Sequence, residues 1–509
     1  MTELELMSKP KYERFFLKIG LFFSRIPSKI SSFFRILPLK LRLLGKKIAS
    51  PFLTIWDAFI NGDWKTRLSF LFCGFGQMFN KQIVLGIINF IFELVFIVYM
   101  VLVGVPWISK FGTLATPLDE FGNACEIHTT SSGFEYSICD RSNDSRFIIL
   151  YSLITIFFII CMVYVWYSSV KKAKLLQDYS QVVKKETDLD IVRTFTGRNY
   201  DKTLLTIPLA GVLIFTVLPL VFMILIAFTN YSSEYNGSKI VFNWVGWQNF
   251  ANMAGLGAGY ETFLPTMLKI LLWTLIWAFF ATFTNYFLGM IVALLINQKA
   301  IKLKKVWRTI LITTVAVPQF ISLLLINKMI QDNGIINNLL LQWGIINQPI
   351  HFLINPWITR VTVIVVNMWV GIPYTMLICT GILMNIPEDL YESAKIDGAS
   401  PFKMYMKITL PYMLFVTTPY LIQQFVGNIN NFNVIYLLTQ GGPLTSSYAA
   451  GAGQTDLLIT WLYKLTMTNS SKDYAMSSVI GIIVFCVVAF ISLIFYSKSN
   501  SVKNEEEFQ

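Results

Sequence analysis

Histidine is nearly missing from this chain: His128 and His351 are the only two among 509 residues. Cysteine is sparse too, with six residues and no C-x-x-C pair. A zinc or haem centre is therefore not expected, and no metal site is assigned. No G-x-x-x-x-G-K-[ST] phosphate loop occurs, so any ATP that powers this protein must be bound by another polypeptide. Charge is also in short supply. Asp, Glu, Lys and Arg make up 14% of the chain, against about 25% in soluble domains.

What fills the chain instead is apolar. Hydrophobic residues account for 55% and the mean hydropathy is +0.58. Runs near 20 residues long give about eight candidate membrane spans. They are Val84 to Val105, Phe147 to Val170, Leu204 to Phe228, Leu268 to Ile296, Trp307 to Ile326, Val361 to Leu383, Leu410 to Leu438 and Ser478 to Tyr496. The seventh is interrupted by polar residues. The expected fold is an all-α polytopic membrane protein.

Loop charge sets the expected orientation. Lys and Arg crowd the segment before the first span, the loop from Lys171 to Lys202, and the link holding Lys299, Lys302, Lys304, Lys305 and Arg308. The loop from Trp107 to Ser145 carries Asp119, Glu120, Glu126, Glu135, Asp140 and Asp144. The alternation places both termini in the cytoplasm. The net charge of +12 sits mostly in those basic loops and the amino-terminal region, so it is not read as a nucleic-acid signature. Residues 1–83 mix Phe15, Phe16, Phe22 and Phe23 with Lys18, Arg25 and Lys29, a pattern that suits an anionic lipid surface. No compact apolar core followed by a small-residue cleavage site appears early, so no cleavable leader is expected. Cys73 lies just before the first span; Cys161, Cys379 and Cys486 fall in spans and read as inert small hydrophobes. Cys125 and Cys139 share the expected external loop and could pair; the sequence leaves that open.

One polar segment stands between two apolar runs. It reads Ile386-Pro387-Glu388-Asp389-Leu390-Tyr391, then Glu392-Ser393-Ala394, three residues, Gly398, nine residues, and Ile408-Thr409-Leu410-Pro411. Such a segment must lie outside hydrocarbon. Pro387 with Glu388 and Asp389 reads as a helix start, and Gly398 can take positive φ at a helix end. Pro401 then opens a second short helix. Two short helices around a glycine make a knob, and the charge pattern puts it in the cytoplasm.

Two polar clusters interrupt the apolar runs. Asn367, Gly371 and Tyr374 lie four and three residues apart in the sixth run, beside Pro373, and so share a helix face. Gln424, Asn428 and Asn431 share a face in the seventh. Neutral amides beside aromatic rings suit a sugar, whose hydroxyls donate and accept. They suit an ion poorly, because no charge is present. Amides in membranes also bond to neighbouring helices, which gives each a purely structural alternative; two clusters on separate spans favour a solute path.

The 386–411 order resembles the EAA loop of membrane subunits of bacterial ABC importers. The runs Phe242 to Phe250 and Leu437 to Pro443 add to that resemblance. Residues 203–497, with the EAA loop at 385–411, resemble the type I permease core of carbohydrate ABC importers, and most closely the larger permease subunit of maltose and maltodextrin importers. Residues 84–202 supply two further spans with an external loop at 106–146, and 498–509 form a cytoplasmic tail. The resemblance implies a multi-pass subunit of the bacterial cytoplasmic membrane that translocates an oligosaccharide. Asn367, Val370, Gly371, Tyr374, Gln319, Gln424, Gly427, Asn428 and Asn431 would line the sugar site. Glu392, Ser393, Ala394, Asp397, Gly398, Ile408, Leu410 and Pro411 would couple to the ATPase. Implied partners are a second permease subunit, two copies of an ABC ATPase holding ATP and Mg, an extracellular or periplasmic sugar-binding protein, and membrane lipid. No catalytic residue and no bound cofactor are implied for this chain. Val315, Gln319, Gln424 and Gly427 depart from the family's best-known pattern, which leaves the particular oligosaccharide open. The competing readings are a permease for another neutral solute and an ion-driven secondary transporter. A phosphate substrate would call for Arg or Lys in the path and a polyamine for carboxylates; neither is present in the two clusters.

Overall fold

The computed structural model describes residues 49–114, 125–129, 135–139, 143–179, 200–235, 241–298, 300–469 and 472–498, with isolated positions 188, 193 and 197. The basic amphipathic region expected over 1–83 therefore lies outside the described residues as far as 48, as does nearly all of the 498–509 tail. The chain forms two compact units, Met1–Ser109 with Tyr151–Thr216, and Lys110–Leu150 with Val217–Gln509.

Among the described residues, six helices are long and apolar enough to cross a membrane: Ile83–Ile108, Ser145–Asp178, Thr203–Ile226, Phe263–Asn297, Pro356–Leu383 and Tyr474–Phe495. They match six of the expected spans. The run from Trp307 to Ile326 is a bent pair, Lys304–Ala316 and Gln319–Met329, meeting at 87°. Pro318 stands at the break with extended ψ and cannot donate to the preceding turn. The interrupted seventh run is also two helices, Leu410–Ile429 and Phe432–Thr439, parted at Asn430 and Asn431.

In the first unit, short helices Trp64–Leu68 and Phe75–Met78 precede the Ile83–Tyr99 helix; Phe75–Met78 packs back on it, and Trp64–Leu68 packs on Phe75–Met78. Gly74 has φ of 92°, and a Cβ there would collide with the carbonyl of Gly86. Glu93 is a carboxylate within an otherwise apolar helix. It is buried, and its Oε2 accepts from the Cys73 N–H at 2.7 Å. That carboxylate is thus committed to a buried backbone turn rather than to a solute path. Ser169 Oγ accepts from Gly74 N, and Trp166 Nε1 donates to the Phe70 carbonyl.

The second unit contains a two-stranded antiparallel ribbon, Cys125–Thr129 with Glu135–Cys139, in which Cys125 is register partner to Cys139. Its main body is built on the Phe263–Asn297 helix, which packs along Pro356–Leu383 and Leu410–Ile429. Gly289 permits one close approach: a Cβ there would lie 2.8 Å from Thr375 Cβ. Small residues permit such contact between apolar helices, where lipid supplies no hydrophobic drive for association. Around this line Tyr286, Met290, Met376, Cys379 and Met413 form one core cluster.

The 440–469 segment is tied by a buried ion pair. Asp456, fully buried, accepts from Lys464 Nζ at 2.6 Å, from Gly453 N at 2.7 Å and from Thr460 Oγ1 at 2.8 Å. Burial pushes the Asp456 carboxyl above its ordinary pKa, against the pull of Lys464 and those donors. Removing one member of such a pair typically costs about 3–5 kcal/mol, because the other is left buried and uncompensated. Lys464→Met is therefore expected to lower unfolding stability of the purified chain by about that much. Lys464→Met combined with Asp456→Leu should recover part of it. Equal melting of parent and single variant in detergent would show that the pair holds nothing.

Candidate functional site

The two helix breaks and the Pro356–Leu383 helix meet around a cavity of about 370 Å³. That size falls within the roughly 300–1,000 Å³ usual for small-molecule sites. Asn367, Val370, Gly371 and Tyr374 enter from the Pro356–Leu383 helix, at spacings that keep them on one face. Pro373 behind them has no N–H, so the carbonyl of Trp369, itself a lining residue, lacks its helical donor. Gln319 enters just beyond the 87° bend, beside Pro318. Gln424 and Asn428 come from the Leu410–Ile429 helix and Asn431 from the break that follows. Eight of the nine residues expected to line the site are thus brought together. Gly427 is exposed and is not among the lining residues.

The lining residues include no Asp, Glu, Lys, Arg or His. Amides and hydroxyls supply the polar atoms, and Trp369 and Tyr374 supply aromatic faces. The set can donate to and accept from a neutral polyol but offers no counter-charge to an ion.

The amides divide by what they already hold. Asn428 Nδ2 donates to Thr282 Oγ1 at 3.0 Å, and Asn428 O accepts from Trp277 Nε1 at 3.1 Å. Asn431 Nδ2 donates to Asn428 Oδ1, while Asn431 Oδ1 accepts from Val434 N and so caps the Phe432–Thr439 helix. Gln319 Oε1 accepts from Asn433 Nδ2 at 3.4 Å. By contrast, Asn367 Nδ2 is buried without a partner. Asn285 Oδ1, on the Phe263–Asn297 helix, is likewise unpartnered and also lines the cavity. Thr314 and Ser322 on the bent pair join the lining as well. The sequence clusters do not contain these three. The one available signal for Asn285 was an amide inside a long apolar run.

The 386–411 knob is well formed. The Glu388–Ile396 helix has Glu388 and Asp389 in its first turn and Lys395 in its last, matching the helix dipole at both ends. It closes with the Gly398 N–H on the Lys395 carbonyl at 3.0 Å and the Ala399 N–H on the Ala394 carbonyl at 2.9 Å. That pairing is a Schellman ending, and Gly398 supplies its left-handed residue at φ 73°. Ser400 caps the next turn, Pro401–Met404. Tyr391 OH bonds Thr409 Oγ1 at 2.8 Å, bracing the knob against the start of the Leu410–Ile429 helix. Glu392, Ser393, Asp397, Gly398 and Pro411 are exposed, whereas Ala394, Ile408 and Leu410 are half-buried. Ile396 and Phe402 are 87% and 73% exposed, the most exposed large apolar side chains of the protrusion.

Residues 285–500 match the family described as binding-protein-dependent transport system inner membrane component. The maltodextrin transport system permease protein of Streptococcus pneumoniae is 32% identical over 454 residues, spanning 87% of this chain and 97% of its own length. The maltodextrin transport system permease protein of Bacillus subtilis is 37% identical over 310 residues, 60% of this chain and 70% of that protein. The galactooligosaccharides transport system permease protein of the same organism is 37% identical over 301 residues, 58% of this chain and 70% of that protein.

The division of the amides predicts opposite stability effects. Asn367→Leu removes an unpartnered buried donor and should leave the unfolding midpoint unchanged or raise it. Asn428→Leu strips Thr282 and Asn431 of their partner and should cost about 1–3 kcal/mol. Thermal unfolding of the two purified variants side by side checks this; equal losses would contradict the assignment.

Proposed function

This chain belongs to the family of inner membrane components of binding-protein-dependent transport systems, and from that premise we propose that it is the sugar-carrying permease subunit of an ATP-driven importer. The substrate class proposed is a neutral oligosaccharide. The observation that carries the reading is the uncharged, amide-lined cavity formed where two apolar helices break, in the same unit as an exposed Gly398 knob. Maltodextrins are the first candidates, by likeness to two maltodextrin permeases. Galactooligosaccharides are the second, since that relative is equally identical over a similar stretch.

In this reading a binding protein outside the cell delivers sugar to the cavity. Two ATPase copies on the other side close on ATP, and each grips the knob of one of two permease subunits. Glu392 and Asp397 offer charge to the ATPase surface. Ile396 and Phe402 offer the apolar anchors that protein interfaces concentrate at their centres. The Tyr391–Thr409 bond joins the knob to the helix that carries Gln424 and Asn428, so a displaced knob pulls on one wall of the cavity. Coupling needs the loaded binding protein to favour one of two states by about 5.5 kcal/mol for a shift from 1:99 to 99:1. Chemistry on the nucleotide belongs to the partner; this chain binds, orients and rearranges.

Uptake of labelled maltodextrins and galactooligosaccharides by cells lacking the chain, then with it restored, tests the reading. Restoration should recover uptake of at least one of the two. No recovery for either would remove the oligosaccharide assignment. At the knob, Gly398→Ala puts a Cβ at positive φ, at a cost of roughly 1–2 kcal/mol. It should lower sugar transported per ATP hydrolysed, with Gly398→Asn less affected because Asn tolerates that conformation. Unaltered coupling in both Gly398→Ala and Glu392→Ala would argue against ATPase docking here.

A further inference from the structure

The cavity does not stop at Gly371. A second one of about 50 Å³ adjoins it, and Asn285, Gly371, Tyr374 and Gln424 line both. The remainder of the small cavity is walled by Thr282, Tyr286, Thr375 and Tyr420 with two apolar residues. The hydroxyls of that wall are engaged. Thr375 Oγ1 donates to the Gly371 carbonyl at 3.0 Å, and also lies 3.4 Å from Tyr420 OH. Tyr286 OH is bonded to Thr417 Oγ1 at 2.8 Å, and Thr282 Oγ1 accepts from Asn428. Only one polar atom of the shared lining is buried and unpartnered, the carbonyl oxygen of Asn285.

Gly371 is what allows this arrangement. A Cβ at 371 would overlap the Asn285 amide. Glycine therefore lets an amide from a different helix stand at the junction of the two cavities. The dimensions limit what can enter. One water needs about 10–15 Å³ of such space, so the small cavity admits a few non-hydrogen atoms, enough for a hydroxymethyl group but not for a whole pyranose ring.

We propose that the small cavity is a subsite for a single exocyclic hydroxymethyl group of the bound sugar, whose O–H donates to Asn285 Oδ1. A hydroxyl attached directly to the ring is held at the ring edge, whereas a hydroxymethyl reaches one bond further, past the bare Cα of Gly371. This deepens the oligosaccharide reading and rests on it. Asn285 and Gly371 then act together as specificity determinants: one reads the hydroxyl, the other keeps the passage to it open.

The test uses the complete transport complex in proteoliposomes with its binding protein, supplied with maltotriose or with maltotrioses carrying a 6-deoxy ring, one ring at a time. The KM ratio of 6-deoxy to parent sugar is compared between wild type and variants, so the binding protein's own preference cancels. For one ring position the ratio should fall about tenfold in Asn285→Ala, because a hydrogen bond to a buried acceptor is lost only for the parent sugar. Gly371→Ala should produce the same fall by displacing the amide. The double variant should add little to either single one, as expected for two residues that act through one contact. A ratio unchanged by Asn285→Ala at all three ring positions overturns the subsite while leaving the sugar reading standing. Failure of wild type to transport maltotriose or any galactooligosaccharide overturns both.

Discussion

A backbone amide inside hydrocarbon must find a partner within the protein, and an unbroken helix is the simplest way to provide one. Helices that break at membrane depth are tolerated only where protein or a cavity receives the freed groups. This chain breaks two apolar runs, at Val317–Pro318 and at Asn430–Asn431, and both breaks open onto the same 370 Å³ space. Pro373 leaves the carbonyl of Trp369, another lining residue, without its helical donor in a helix that remains continuous. The site is thus where the constraint is relaxed, and the polar side chains gather there because backbone groups are already exposed there.

Within the site, the amides share two tasks. Asn428 and Asn431 spend their hydrogen bonds on Thr282, on each other and on capping the Phe432–Thr439 helix. They hold the broken segment in place. Asn367 and Asn285 each keep one buried atom unspent. An unpaired buried polar group costs stability, and a site that recognises hydroxyls needs such groups ready. Asn428 and Asn431 thus have structural partners, and Asn367 and Asn285 keep the atoms that the proposed site would use.

The knob shows the same economy at a smaller scale. A single left-handed residue, Gly398, ends one helix and turns the chain into the next, and the Tyr391–Thr409 bond transmits its position to the Leu410–Ile429 helix. Ile396 and Phe402 are the large apolar side chains the knob leaves most exposed.

The order of residues alone determined the membrane class, six of the spans, the Gly398 turn and the faces holding Asn367, Gly371, Tyr374, Gln424 and Asn428. These depend on the length of apolar runs, helical spacing and the backbone freedom of glycine, all properties of neighbours along the chain. It could not show that the Trp307 to Ile326 run bends by 87°, that Glu93 is spent on Cys73, or that Asn285 joins the cavity. Only tertiary structure decided which amides are free. Whether a donor is satisfied depends on what stands within 3 Å of it, and for Asn428 that group is Thr282, 146 positions away along the chain.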